Sequence, residues 1–162
     1  MKILVGRHAL SEGNNRDNNG TLLFGHPAAP LMELGRGQSQ EMGRAFLDTY
    51  GVKPATTPIA VSNMLRSQET ARYAGFNHLV QYEQLDEVDT ELDYSILKQW
   101  INEKRHTDIA LKAARLILEN PPKESVWITH GLVISAMCEI LDVTYKFDNF
   151  LPKFCEIREL QI

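Results

Sequence analysis

Three short apolar runs, each stopped by polar or turn-forming residues, constrain the fold of this chain more than any other feature of it. The first is Ile3-Leu4-Val5, in a strand expected at 2–5; the second is Ile59-Ala60-Val61 and the third Val126-Trp127-Ile128-Thr129. Runs this short and rich in β-branched residues read as strands buried on both faces. A further strand is expected at 78–82. Between the strands lie helical patterns at 32–50, 64–74 and 132–141, a short one carrying Tyr94, Leu97 and Ile101, and one ending near Asn120 ahead of Pro121-Pro122. Strand-helix alternation of this kind predicts an α/β fold, three layers α/β/α around a mostly parallel sheet. The 162 residues suit a single domain, 1–162, that buries roughly two-thirds of its unfolded surface.

Local signals refine this picture. Leu34, Gln38, Met42, Ala45 and Phe46 form a stripe on the helix at 32–50, and Gly51 supplies its stop. Gly35, Gly37 and Gly43 weaken that helix, so close packing onto a neighbour is expected to offset their cost. Ser62 or Asn63 is the expected cap of the next helix, and Thr107 or Asp108 that of the helix ending near Asn120. At 154–162, Cys155 and Ile157 alternate on one face, but Arg158-Glu159 breaks the parity before Leu160 and Ile162, which predicts an edge strand or a bulge.

Lys and Arg total 17 against 21 Asp and Glu, a formal net charge of −4. That balance argues against nucleic acid or an anionic membrane as a partner and makes any cationic site local. Cys138 and Cys155 fall on a helical and a strand pattern without metal-like spacing, which fits buried thiols in a reducing compartment. No apolar run approaches the roughly 18 residues of a membrane span, and a cytoplasmic location is expected.

Parallel strands deliver the residues at their C-terminal ends to one edge of the sheet, where ligands bind. Arg7 and His8 come after the first strand, Arg66 after the second within one helical turn, and His130 after Thr129. Taken alone, Arg7-His8 is equally a solvated strand cap and an anion site. The arrival of Arg66 and His130 at the same edge shifts the balance, and a cation in the first turn of a helix opposes its dipole and calls for an anion or another reason to be there. Two guanidiniums and two imidazoles beside helix N-termini suit a phosphoryl group, whose charge spreads over three oxygens that arginine can meet with paired donors.

The residues carrying this chemistry resemble a known family. Arg7-His8-Ala9 with Ser11 and Asn14 is similar to the Arg-His-Gly motif of the histidine phosphatase superfamily, the phosphoglycerate mutase-like proteins. Gly25, Pro30-Leu31 and 35–38 resemble its second block. Ser62 through Arg66 to Thr70-Ala71 resembles its third, and Thr129-His130-Gly131 its last. The resemblance implies a phosphoglycerate mutase-like fold and a phosphatase in which His8 is transiently phosphorylated. It further implies that Arg7, Arg66 and His130 bind the phosphoryl oxygens, with Asn14 as a further donor. A carbonyl acceptor is expected on the other ring nitrogen of His8, and the adjacent arginines oppose its protonation. Relatives that release an alkoxide protonate it from an acid after the third strand. Leu85-Asp86-Glu87 resembles that element, making Glu87 the choice and Asp86 the reserve. Ala9 departs from the usual glycine, and the basic residue often found further along the loop has no clean counterpart, Arg16 being the one candidate stand-in.

No cofactor or metal is expected. The implied substrate is a phosphorylated small molecule or a phosphoprotein, phosphohistidine included, and the sequence specifies no oligomeric state. His26, His78 and His106 are assigned surface roles. Three alternatives remain: a metal hydrolase using His8, His130 and acids from Asp86 to Asp89, a phospholigand-binding module without turnover, and a mutase. The last is disfavoured because its family members carry longer insertions.

Overall fold

Successive residues of a strand point to opposite faces of a sheet, and in this chain both faces are covered. The computed structural model describes residues 1–15, 25–88 and 94–162. Strands β1 (Lys2–Arg7), β2 (Pro58–Val61), β3 (His78–Gln81), β4 (Val126–Thr129) and β5 (Ile157–Gln161) form one sheet in the order β3-β2-β4-β1-β5. The pairs β3-β2, β2-β4 and β4-β1 are parallel, and β5 runs antiparallel along β1. The helices are α1 (Glu33–Tyr50), α2 (Leu65–Tyr73), α3 (Tyr94–Asn102), α4 (Asp108–Glu119) and α5 (Gly131–Ile140). None of the helices among the described residues is long and apolar enough to cross a membrane.

The two cores follow from strand parity. Leu4, Ile59, Val61, Val126 and Ile128 meet Met42 and Phe46 of α1 and Ala71 of α2 on one face. Ile3, Val5, Ala60 and Trp127 meet Ala110, Ala114 and Ile117 of α4 and Val133, Ile134 and Met137 of α5 on the other. Helix α5 is buried along nearly its whole length. The expected three-layer α/β/α arrangement around a mostly parallel sheet is therefore observed.

Several local expectations are corrected. Strand β1 extends beyond Val5 to Arg7, since Arg7 pairs with Thr129 in the parallel ladder. Leu34 is 64% exposed, and the buried face of α1 is Gly35, Ser39, Met42, Gly43 and Phe46. A Cβ on Gly35 would lie 2.0 Å from the Leu10 carbonyl oxygen, and one on Gly43 would lie 2.2 Å from that of Ala74. Missing side chains let this helix sit against backbone, a contact that counting apolar residues misses. Gly51 ends α1 in the left-handed region at φ 68°, as expected.

At α2 the N-cap is Met64, without a side-chain bond; Ser62, one of the expected caps, accepts from the Met64 N–H at 3.3 Å. Thr107 caps α4 by accepting from the Ala110 N–H. Strand β5 is an edge strand without a bulge, in regular register from Lys2↔Gln161 to Gly6↔Ile157. Its parity is intact because Arg158 itself is the inward residue, buried beside Leu160. Cys155 precedes the strand, in a turn at φ 61°, and burial pushes its thiol up to about 12.

Gly43→Ala is expected to destabilise the fold by about 1–3 kcal/mol through overpacking against backbone. Gly37→Ala, whose Cβ would enter open space, should be neutral or stabilise by up to about 1 kcal/mol. Urea unfolding of the two variants checks this; equal effects would mean that α1 does not depend on its approach to Ala74.

Candidate active site

The register of β1 on β4 sets the geometry. Arg7 and Thr129 are partners in the ladder, so the next residue of each strand, His8 and His130, leaves the sheet at the same edge. The His8 N–H donates to the Thr129 carbonyl at 3.0 Å, and the two imidazole rings lie 5.0 Å apart. Arg66, in the first turn of α2, reaches back to them and donates from Nε to His8 Nε2 at 3.2 Å. Its unfavourable place at a helix N-terminus is compensated by the carboxylates of Glu87 and Asp86, which favour its charge while burial lowers its pKa.

The protonation of His8 follows from its partners. Its Nδ1 lies 2.7 Å from the Ala9 carbonyl oxygen, which can only accept, so Nδ1 carries the proton and Nε2 keeps its lone pair. Burial holds the ring well below the ordinary histidine range, and Arg66 and Arg7 add to that effect. A neutral imidazole with its lone pair oriented by backbone is equipped as a nucleophile and not as an acid. The expected carbonyl acceptor is thus that of Ala9. Ala9 itself is buried, and its N–H donates to Thr70 Oγ1 at 2.9 Å. Positive φ occurs among described non-glycine residues only at Lys104, Asp142 and Cys155, so the Ala9 methyl causes no backbone strain.

His130 is also buried and held well below its usual range, by burial first and then by His8 and the two arginines. Its Nε2 lies 2.8 Å from Ser62 Oγ, and its Nδ1 faces Glu87 Oε2 at 4.0 Å. A carboxylate on that side favours the proton on Nδ1, with Nε2 accepting from the Ser62 hydroxyl. The next layer is made of hydroxyls too. Thr70 Oγ1 donates to the Arg66 carbonyl at 2.7 Å, and Ser67 Oγ donates to the Ile128 carbonyl at 2.7 Å while accepting from the Ser62 N–H.

Arg7 approaches from the other side. Its Nη1 donates to the Pro152 carbonyl at 2.7 Å and its guanidinium lies 3.9 Å above the Phe154 ring. Burial lowers it to about 10. Two buried donors, Arg7 Nε and His130 Nδ1, make no hydrogen bond among the described residues. Unmet buried donors are rare in proteins, and an anion would satisfy them.

The structure therefore groups His8, Arg66, His130 and Glu87, with Arg7 alongside. Asp86 accepts from the Asn63 N–H at 2.6 Å, and burial raises its carboxyl above the ordinary range. Asn14 Oδ1 accepts from Ser11 Oγ at 2.6 Å; no bond from Asn14 to either arginine or histidine is seen among the described residues. Arg16 and Asp89 lie outside the described residues. His26 and His78 are exposed, as expected, whereas the His106 side chain is buried, with its ring 4.6 Å from that of Phe150. Ser62 reads from sequence as a possible cap and as the start of the third block, with no contact to a site residue, and its bond to His130 is what sequence reasoning missed. Its one signal was its place four residues before Arg66. No group of three or more His, Cys, Asp or Glu among the described residues could hold a metal ion.

The family model for the histidine phosphatase superfamily (branch 1) matches residues 3–110, so His130 lies beyond the matched span. No curated protein sequence matches. Among solved structures, the chain is similar to TTHB049 of Thermus thermophilus at 21% identity and a TM-score of 0.68, over 99% of this chain and 93% of that one. It is similar to a mycobacterial glucosyl-3-phosphoglycerate phosphatase in complex with VO3 at 17% identity and TM-score 0.60, over 99% and 90%. A phosphoserine phosphatase mutant from Entamoeba histolytica, bound to phosphoserine, gives 21% identity and TM-score 0.60, over 98% and 89%.

The depressed histidines make stability depend on pH. Below the unfolded value of about 6.5 the unfolded chain takes up protons that the buried rings refuse, so stability falls as pH drops from there toward the folded values. Each ring contributes a slope approaching about 1.4 kcal/mol per pH unit. His8→Gln is expected to flatten the dependence of unfolding free energy on pH between about 6.5 and 5 by that amount. An unchanged slope would mean that His8 accepts a proton in the folded protein.

Proposed function

The chain belongs to the histidine phosphatase superfamily, branch 1, and on that premise we propose that it hydrolyses a phosphomonoester or a protein phosphohistidine through a covalent phosphohistidine on His8. The single observation that carries this reading is the state of His8: a buried neutral ring with Nδ1–H tied to the Ala9 carbonyl and Nε2 facing a guanidinium.

In the first step the Nε2 lone pair attacks phosphorus as the bond to the leaving oxygen of a monoester, or to the leaving ring nitrogen of a phosphohistidine, breaks. Arg66 exchanges its bond to Nε2 for one to a phosphoryl oxygen, and Arg7 and His130 Nδ1–H supply further donors; Asn14 is a candidate for another. Positioning and electrostatic stabilisation are the main catalytic terms for such a transfer. The leaving oxygen takes its proton from Glu87. In the second step a water gives a proton to the Glu87 carboxylate and attacks phosphorus. The P–N bond breaks, the electron pair returns to Nε2, and phosphate leaves. Splitting the reaction this way is covalent catalysis, and neither step as written calls on a metal.

Glu87 is the acid in this reading because its carboxyl faces His130; it is ionised beside the two arginines of the free site, and a bound phosphate engages those arginines and adds negative charge that favours its protonated form. Asp86 Oδ1 is committed to the Asn63 N–H. The unstrained Ala9 supports turnover over mere binding, since its methyl leaves the bond that fixes His8 in place.

With an aryl phosphate in chelator, the wild type is expected to form an acid-labile phosphoenzyme, and His8→Ala to lose at least about a thousandfold in kcat/KM. Equal turnover by the two would remove His8 from the mechanism, and loss of wild-type activity in chelator would favour a metal hydrolase. Vanadate or phosphate binding without turnover would make the protein a binding module.

Leaving-group dependence identifies the acid. With an alkyl phosphate, Glu87→Gln should cost about 10²–10⁴ in kcat/KM, which reports the phosphorylation step alone, against less than about tenfold in kcat/KM with an aryl phosphate whose leaving group needs no proton. Asp86→Asn should show no such difference. The reverse pattern would transfer the role to Asp86.

A further inference from the structure

Arg7 is not held by the strand that carries it. Its side-chain hydrogen bond and its ring contact come from the segment 147–156, which lies between the short turn Thr144–Lys146 and β5. Pro152 supplies the carbonyl that accepts from Nη1, and Phe154 the ring beneath the guanidinium. Leu151 and Arg7 together crowd Gly131, where a Cβ would lie 3.0 Å from Leu151 Cδ1 and 3.1 Å from Arg7 Nε. The orientation of Arg7 is therefore set by where this segment sits.

Backbone bonds join the end of the segment to Arg7, the Cys155 N–H donating to the Arg7 carbonyl at 3.1 Å and the Arg7 N–H to the Glu156 carbonyl at 3.0 Å, and the side chain that ties down the rest is Arg158, a fully buried residue of β5. Its Nη2 donates to the Asn149 carbonyl at 2.6 Å, its guanidinium lies 4.3 Å above the Phe147 ring, and Nη1 lies 3.6 Å from Cys138 Sγ. Its Nε donates to Glu156 Oε1 at 2.8 Å, while Glu156 Oε2 accepts from the Lys153 N–H at 2.8 Å. One buried side chain thus fixes both ends of the segment, directly at 147 and 149 and through Glu156 at 153. A second tether lies beside it, Ser135 Oγ donating to the Phe150 carbonyl at 2.7 Å.

From this chain of contacts we infer that Arg158 is a positioning residue for phosphate recognition, acting on Arg7 through the segment 147–156. A single planar guanidinium meets the carboxylate, carbonyl and ring at fixed angles, which an ammonium cannot do. Arg158→Lys keeps the buried charge and releases the geometry.

The inference rests on the reading of Arg7 as a phosphoryl ligand, and the two are separable by inhibition of aryl phosphate hydrolysis with inorganic phosphate. Arg7→Ala should weaken phosphate inhibition at least tenfold; if it does not, the phosphate-pocket reading fails and this inference with it. Arg158→Lys, with its folding checked by thermal unfolding, should weaken phosphate inhibition about three- to tenfold. In the Arg7→Ala background the same change should have no further effect, a non-additivity expected only when one residue acts through the other. Unaltered inhibition in folded Arg158→Lys, or additive losses in the double variant, would overturn the inference. If Arg158→Lys does not fold, Ser135→Ala loosens the same segment without touching the buried ion pair, and its cycle with Arg7→Ala is judged by the same criteria.

Discussion

Burial of positive charge is the constraint on which the rest of this structure depends. Arg66 is almost fully enclosed, Arg7 is largely so, and both stand near two buried imidazoles. Such a cluster is tolerable only if the rings stay neutral and the guanidiniums find acceptors. Uncharged neighbours serve the histidines and Arg7, namely the carbonyls of Ala9 and Pro152, the hydroxyl of Ser62 and the ring of Phe154, while Arg66 relies on the carboxylates of Glu87 and Asp86. Glu87 is the carboxylate that faces the cluster from the acidic loop. The electrostatic demand of the site thus reaches into β1, α2, the turn after β3 and the segment before β5.

How much of this is legible in the sequence depends on a physical divide. Strands buried on both faces announce themselves by composition, and parallel pairing then fixes where their ends go, so the meeting of His8, Arg66 and His130 can be derived from the sequence. Contacts that need no distinctive side chain cannot. The core face of α1 consists partly of Gly35 and Gly43, whose information lies in what is missing. Arg158 reads as an interruption of parity only while hydrophobicity is the sole criterion for an inward position. A buried arginine with a carboxylate, a carbonyl and a ring satisfies the same alternation.

The hydroxyls illustrate the same limit from the polar side. Ser62 and Ser67 are ordinary residues near a helix start, where capping is the default interpretation, and Thr70 lies mid-helix in α2. In the fold each serves the site or its supports: Ser62 on His130, Ser67 on the end of β4, Thr70 between Ala9 and Arg66. Sequence spacing cannot tell a cap from a tether, since both put a short polar side chain within a turn of the helix. Only the position of a distant partner, 68 residues away for Ser62 and His130, decides between them.

The antiparallel pairing of β5 with β1 also bears on how the molecule comes into being. Arg7 and the Pro152 carbonyl that receives it are 145 positions apart, and β5 docks along β1 from Lys2 to Gly6. Contacts of such long range are entropically slow to form. A chain in which β1, β2 and β4 have paired already has both histidines at the sheet edge, yet Arg7 has neither its carbonyl nor its aromatic platform. The setting of Arg7 thereby depends on the docking of β5 and the segment before it, and a chain without that docking carries the histidine pair without the means to orient Arg7 beside it.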